Sequence, residues 1–247
     1  MKHLTRFSAL LLSLAMPLLF ISCNNEQSKT EPESKAADTT TTTVAPVEKV
    51  NTIVTTPQLM GVVRHKVKDY AAWKASYDSH DSMRLANGIH SYVIGRGMDD
   101  SMMVLVALKV DNLDKAKAFS KDPSLKERMK KGGVIGAPQI SFVNVVWQDT
   151  VNVGRIPRVM TTYSVKDWDT WKKVFEESKP DRMANGIVDR QYGHEADDNK
   201  KISTVTALMD VDKAKAYWSS DAMKKRITAA GITTTPNRFI FNIVQRY

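Results

Sequence analysis

Apolar and polar positions alternate at Val63, His65 and Val67, and again at Val159, Thr161, Tyr163 and Val165, the two-residue period of a half-buried strand. After each strand the period changes. Tyr70, Trp73 and Tyr77, and likewise Trp168, Trp171 and Phe175, stand at i, i+3, i+7, the stripe of a helix, with Asp69 or Asp167 placed to cap its start. Asn87-Gly88 and Asn185-Gly186 supply the left-handed residue that ends it. Two short strands follow, around 89–95 and 102–109 (187–193 and 201–208), joined by a turn that holds Asp99-Asp100 or Asp197-Asp198. A second helical region starts near Asp111 or Asp210. It restarts at Asp122-Pro123 or Ser220-Asp221 and ends at Gly133 or Gly231. A last strand, 140–147 or 239–244, closes each unit.

The two passes are copies. An offset of 98 aligns residues 67–146 with 165–244 without a gap, matching Arg84 to Arg182, Ala86–Ile89 to Ala184–Ile187, Asp114–Ala118 to Asp212–Ala216 and Pro138 to Pro236. A period this long is a domain, since solenoid units repeat every 20–50 residues or so. The order βαββαβ, twice, predicts an α+β fold of two ferredoxin-like repeats with helices on one face of each antiparallel sheet. The other face of each sheet needs cover, and the partner repeat is the obvious cover, so a pseudo-twofold pair within one chain is expected. The expected divisions are 1–22, 23–57, 58–148 (first repeat), 149–157 (linker) and 158–247 (second repeat).

The first two divisions concern export. Lys2 and Arg6 precede an apolar run from Phe7 to Ile21, shorter than the roughly 20 residues of a bilayer span, which reads as a secretory signal. Its end, Phe20-Ile21-Ser22-Cys23, resembles a bacterial lipoprotein signal, which implies acylation of Cys23, a lipid anchor in a membrane of the cell envelope, and a periplasmic or surface location. Cys23 is the only cysteine, so no internal disulfide can form, and lipidation would remove an exposed thiol. Residues 24–57 are rich in Glu, Ser, Lys, Thr and Pro and bury too little to offset ordering entropy, as a disordered tether would. Loss of residues 1–22 removes Lys2 and Arg6 and leaves 34 Lys and Arg against 27 Asp and Glu. That modest excess suits an anionic surface or an acidic ligand, while export argues against nucleic acid.

Candidate chemistry is sparse. Arg84 and Arg182 lie eleven residues after Trp73 and Trp171, about 20° past three full helical turns, hence on the aromatic face. There a guanidinium can grip a ligand carboxylate or phosphate, or serve structurally by pairing with Asp100 or Asp198. Pro180 interrupts the presumed helix and weakens the phase argument in the second repeat. Trp73 and Trp171 read as core or as the wall of a ligand box. His65 and Tyr163 occupy equivalent strand positions pointing inward, where each needs a hydrogen-bond partner, and His65 there is a candidate base or axial ligand. No histidine pair has metal-ligand spacing, so no metal is expected.

The motifs Val-x-Asp-aromatic-x-x-Trp-Lys, Arg-x-x-Asn-Gly, Asp-Lys-Ala-Lys-Ala-aromatic and Gly-Val-x-Gly-x-Pro (Val134, Gly136, Pro138) resemble small bacterial members of the dimeric α+β barrel superfamily, the antibiotic-biosynthesis-monooxygenase-like and stress-responsive barrel domains. The resemblance implies sheet-to-sheet pairing and, in some members, haem or quinone-like molecules held between helices and sheet. Haem-degrading members use an Asn, a Trp and a His. This chain has no matching Asn beside His65 and Tyr163, so those catalytic roles do not transfer. Two functions remain open: a small-molecule-binding or accessory protein, taking a small apolar or anionic ligand and implying no cofactor, or a cofactor-free monooxygenase or haem-handling enzyme. Their site would draw on His65, Trp73, Arg84, Tyr163, Trp171 and Arg182.

Overall fold

The computed structural model describes residues 51–247; the signal, Cys23 and most of the 23–57 tether lie outside the described residues. A two-residue strand, β1 (Ile53–Val54), pairs with Gln148 and Asp149, so the sheet takes in residues that composition assigns to the tether. The first repeat then runs β2 (Gln58–Val67), α1 (Tyr70–Ser79), α2 (Asp81–Ala86), β3 (Ile89–Gly97), β4 (Met103–Val110), α3 (Leu113–Ser120), α4 (Pro123–Lys131) and β5 (Val134–Asp149). The second runs β6 (Arg158–Ser164), α5 (Trp168–Glu177), α6 (Lys179–Ala184), β7 (Ile187–Glu195), β8 (Asp198–Leu208), α7 (Val211–Ser219), α8 (Asp221–Ala229) and β9 (Asn237–Arg246).

Local chemistry explains the boundaries. Asp69 accepts from the Ala72 N–H and Asp167 from the Thr170 N–H, both at 2.7 Å, and each such cap contributes about 1 kcal/mol. Gly88 and Gly186 stand at φ 66° and 71°, a backbone region that side chains disfavour. Two expectations need correction. The first helical region is not continuous: it breaks at His80 and at Ser178, and Pro180 sits in the first turn of α6, where it lacks no needed donor. α3 itself is capped by Asn112, which accepts from the Lys115 N–H at 2.9 Å. The closing strand of the first repeat is longer than 140–147 because β5 pairs on both flanks, with β2 through residues 134–145 and with β7 through 143–148.

That double pairing closes the sheet. Strands follow the order β1-β5-β2-β4-β3-β9-β6-β8-β7, and β7 returns to β5, so β3–β9 and β5–β7 are the seams where the repeats meet within one chain. Each seam has a glycine at the equivalent position. A Cβ on Gly95 would lie 2.3 Å from the Phe241 ring, and one on Gly193 would lie 2.1 Å from the Asn144 carbonyl oxygen, so no other residue lets the strands approach this closely.

Burial separates into layers. Met60, Val62, Leu105, Val143, Val145, Met160 and Phe241 pack together inside the barrel. The outer face of the first repeat's strands packs against its helices through Val67, Trp73, Ile94, Val104, Ala116 and Phe119. The second repeat does the same through Val159, Leu208 and Tyr217, and through Val165, Trp171 and Ile202. The two helix-to-sheet layers are therefore equivalent by duplication, and their differences are local.

Candidate functional site

Both layers contain a space between helices and sheet. In the second repeat its buried polar groups satisfy one another. The Tyr163 hydroxyl accepts from Trp171 Nε1 at 3.0 Å. Arg182 presents Nε and Nη2 to the two oxygens of Asp189, at 2.8 and 2.6 Å. Its Nη1 donates to the Phe175 carbonyl and to Ser178 Oγ, both at 2.7 Å, and the guanidinium lies 3.7 Å from the centre of the Phe175 ring. The Phe175 carbonyl is one of those left unpaired at the end of α5, so Arg182 also completes that helix terminus.

The first repeat keeps the frame and loses the partners. Arg84 lies 3.7 Å over Tyr77 and donates Nη1 to the Tyr77 carbonyl at 2.7 Å, as Arg182 does to Phe175. Its Nη2 reaches Asp81 at 2.9 Å, a half-exposed carboxylate of the same helix, and its buried Nε has no partner among the described residues. Ser91 stands where the second repeat has Asp189, and its hydroxyl pairs with that of Tyr77 at 2.7 Å. The equivalence is structural: Ser91 opposes Leu108, Asp189 opposes Thr206, and each pairing precedes a bulge in its strand.

His65 is the other departure. It opposes Val104 as Tyr163 opposes Ile202, it is 4% exposed, and neither ring nitrogen has a hydrogen-bond partner among the described residues. The ring lies 5.4 Å from Trp73, which lies 5.3 Å from Tyr77, so an aromatic series joins His65 to Arg84. Burial pushes the imidazole down to about 4, which leaves it neutral at pH 7. In the unfolded chain the group titrates near 6.5. Its contribution to stability is therefore complete above that pH and is lost as the pH falls toward about 4. These groups line a cavity of about 110 Å³ whose other walls are mostly apolar, among them Val63, Ile89, Val106 and Phe142, with Ser76, His80, Ser120 and Arg128 also lining it. Its counterpart beside Tyr163 and Arg182 measures about 80 Å³.

No protein-family model matches the chain, and no curated protein matches its sequence. Solved structures do match. A Fusobacterium nucleatum protein provisionally named a monooxygenase is 11% identical with a TM-score of 0.51, covering 78% of this chain and 94% of its own. An anthrone oxidase-like protein is 10% identical with a TM-score of 0.56, covering 79% and 95%. The fold is that of the dimeric α+β barrel. At these identities the likeness extends to the fold and no further.

Within this dimeric α+β barrel the six residues singled out from sequence divide into two sets that do not meet. His65, Trp73 and Arg84 line one cavity, and Tyr163, Trp171 and Arg182 line the other. The arginines do complete structure, but their partners are Asp81 and Asp189. Asp100 pairs instead with Lys66 at 2.8 Å and Asp198 with Lys201 at 3.5 Å, because both lie at turns far along the strands from α2 and α6. Sequence reasoning passed over Ser91 and Asp189, whose mismatch in the 98-residue alignment is the visible sign of the asymmetry. The barrel interior holds a larger space of about 310 Å³ with Arg158 and Arg190 on its wall. There Arg190 meets Asp149 at 3.2 Å, and Arg158 donates to carbonyls of the linker, at Ile156 and Gly154. The orphaned groups of the first repeat mark the stronger candidate.

Opposite responses are expected at the two equivalent positions. His65→Phe removes two unpaired nitrogens and should raise stability by about 1–3 kcal/mol, whereas Tyr163→Phe strips Trp171 of its acceptor and should lower it by a similar amount. Urea unfolding midpoints of the two variants check this, and a loss in both would contradict the assignment.

Proposed function

We propose that the chain is a small-molecule-binding protein of the cell envelope, held to a membrane through Cys23, whose ligand occupies the cavity between α1, α2 and the sheet of the first repeat. One observation carries the reading: a buried, neutral histidine with both ring nitrogens free stands at an apolar cavity, where an unmatched polar group costs about 1–3 kcal/mol. A ligand that hydrogen-bonds to His65 recovers that cost. Cavities of this kind, mostly apolar with one or two placed polar groups, are the usual form of small-molecule sites.

The cavity also bears on cofactors. His65 has the free nitrogen that an axial haem ligand needs, but a space of about 110 Å³ is far too small for a porphyrin, which does not fit. The ligand is then about the size of one aromatic ring. A second reading, cofactor-free oxidation, draws support from the names of the two similar structures and from His65 itself, since a neutral imidazole out of water can accept a hydrogen bond from a bound phenolic hydroxyl and so orient it. Binding at His65 is common to both readings.

Phenol is a suitable probe. Titrated into the full chain and followed by the fluorescence of Trp73, it is expected to bind with a Kd on the order of millimolar, as befits so few atoms, and His65→Phe should abolish the response. Equal binding by that variant, or none by the natural chain, would contradict the site. The anchor rests on signal anatomy and is tested separately: cells expressing the chain with labelled palmitate should yield a labelled protein that Cys23→Ser leaves unlabelled, and label persisting in the variant would refute it.

A further inference from the structure

The duplication supplies an internal template for what the first-repeat cavity lacks. In the second repeat a carboxylate, that of Asp189, occupies the side of the arginine fork formed by Nε and Nη2. In the first repeat the same fork is held in the same way from behind, by the Tyr77 carbonyl on Nη1 and by the aromatic ring beneath it, yet the position of that carboxylate is taken by Ser91, too short and already paired with Tyr77. Nε is left buried without an acceptor. The amide-like geometry of a guanidinium side is matched best by a planar carboxylate accepting two parallel bonds.

We infer that the first-repeat cavity takes a small aromatic carboxylic acid, whose carboxylate replaces the missing Asp189 on Arg84 and whose opposite end hydrogen-bonds to His65. This inference rests on the proposal that the cavity is the binding site, and adds to it the chemical class of the ligand. Three observations converge on it. The buried Nε asks for an acceptor, and a donor left buried without one costs about 1–3 kcal/mol. Asp81, the one carboxylate on this fork, sits on an exposed turn of α2 and takes only Nη2, which has a second proton to give. The rings of Tyr77 and Trp73 join Arg84 to His65 along the cavity wall, an aromatic lining suited to a ring. The second repeat cannot bind the same ligand, because Asp189 fills the fork and Tyr163 is bonded to Trp171. One site per chain follows.

The test compares two probes, phenol and 4-hydroxybenzoate, on the full chain by calorimetry. The natural chain is expected to bind 4-hydroxybenzoate about ten-fold or more tightly than phenol, the contribution of one charge-assisted contact. Arg84→Met should remove that advantage, so that the acid and phenol bind with similar affinity. Because Arg84 also completes the end of α1, a second variant guards against misfolding: Ser91→Asp supplies the carboxylate in place. It should raise the melting temperature and abolish the preference for the acid. A chain that binds phenol without preferring the acid, or whose preference survives Ser91→Asp, overturns this inference and leaves the His65 site standing. A chain that binds neither probe overturns both.

Discussion

A polar group taken out of water must find a partner, and most of what distinguishes the two halves of this molecule follows from where that requirement is met. Arg182 and Asp189 meet it completely: a bidentate pair less than a tenth exposed, with the remaining guanidinium nitrogen on the last turn of α5. Removing one partner from such a pair typically costs about 3–5 kcal/mol, so the second repeat is locked at this point. The first repeat has the same arginine in the same place and only part of the satisfaction. What is satisfied within one copy is left partly without partners in the other.

This division suits a fused barrel. Each sheet must cover its inner face, and closure through β3–β9 and β5–β7 does so with apolar side chains from both repeats. Once closed, the barrel leaves two equivalent outer layers beneath the helices, of which only one needs to hold a ligand. The other can trade a site for internal bonds and lend stability to the whole. The glycines at the two seams, Gly95 and Gly193, are retained in both copies because closure itself depends on them. The residues that differ, His65 against Tyr163 and Ser91 against Asp189, sit in the layers rather than at the seams.

Much of the scaffold was legible in the sequence because its signals are local. The caps at Asp69 and Asp167, the left-handed glycines after Asn87 and Asn185, and the inward direction of His65 and Tyr163 each follow from residue type and spacing. The breaks at His80 and Ser178 were less legible, since without a proline at the first the aromatic stripe reads as one helix. The partners of the arginines were misread for a different reason: Asp189 is seven residues from Arg182 in sequence but meets it only because β7 runs back beneath α6, a tertiary fact. The Ser91 mismatch was readable all along, and it acquires meaning only when the fork above it is seen to lack an acceptor.

The most direct test of the account is the ionisation of His65 in the ligand-free chain, followed by nitrogen-15 shifts of its ring as the pH is lowered. An imidazole buried without partners should stay neutral through pH 6.5 and titrate only near 4. Addition of a ligand that bonds to it should move the shifts of His65 while those of the exposed His90, paired with Asp111, stay fixed. A His65 that takes up its proton at the pH of a free histidine would show that the ring is solvated or already partnered, and would contradict the central claim.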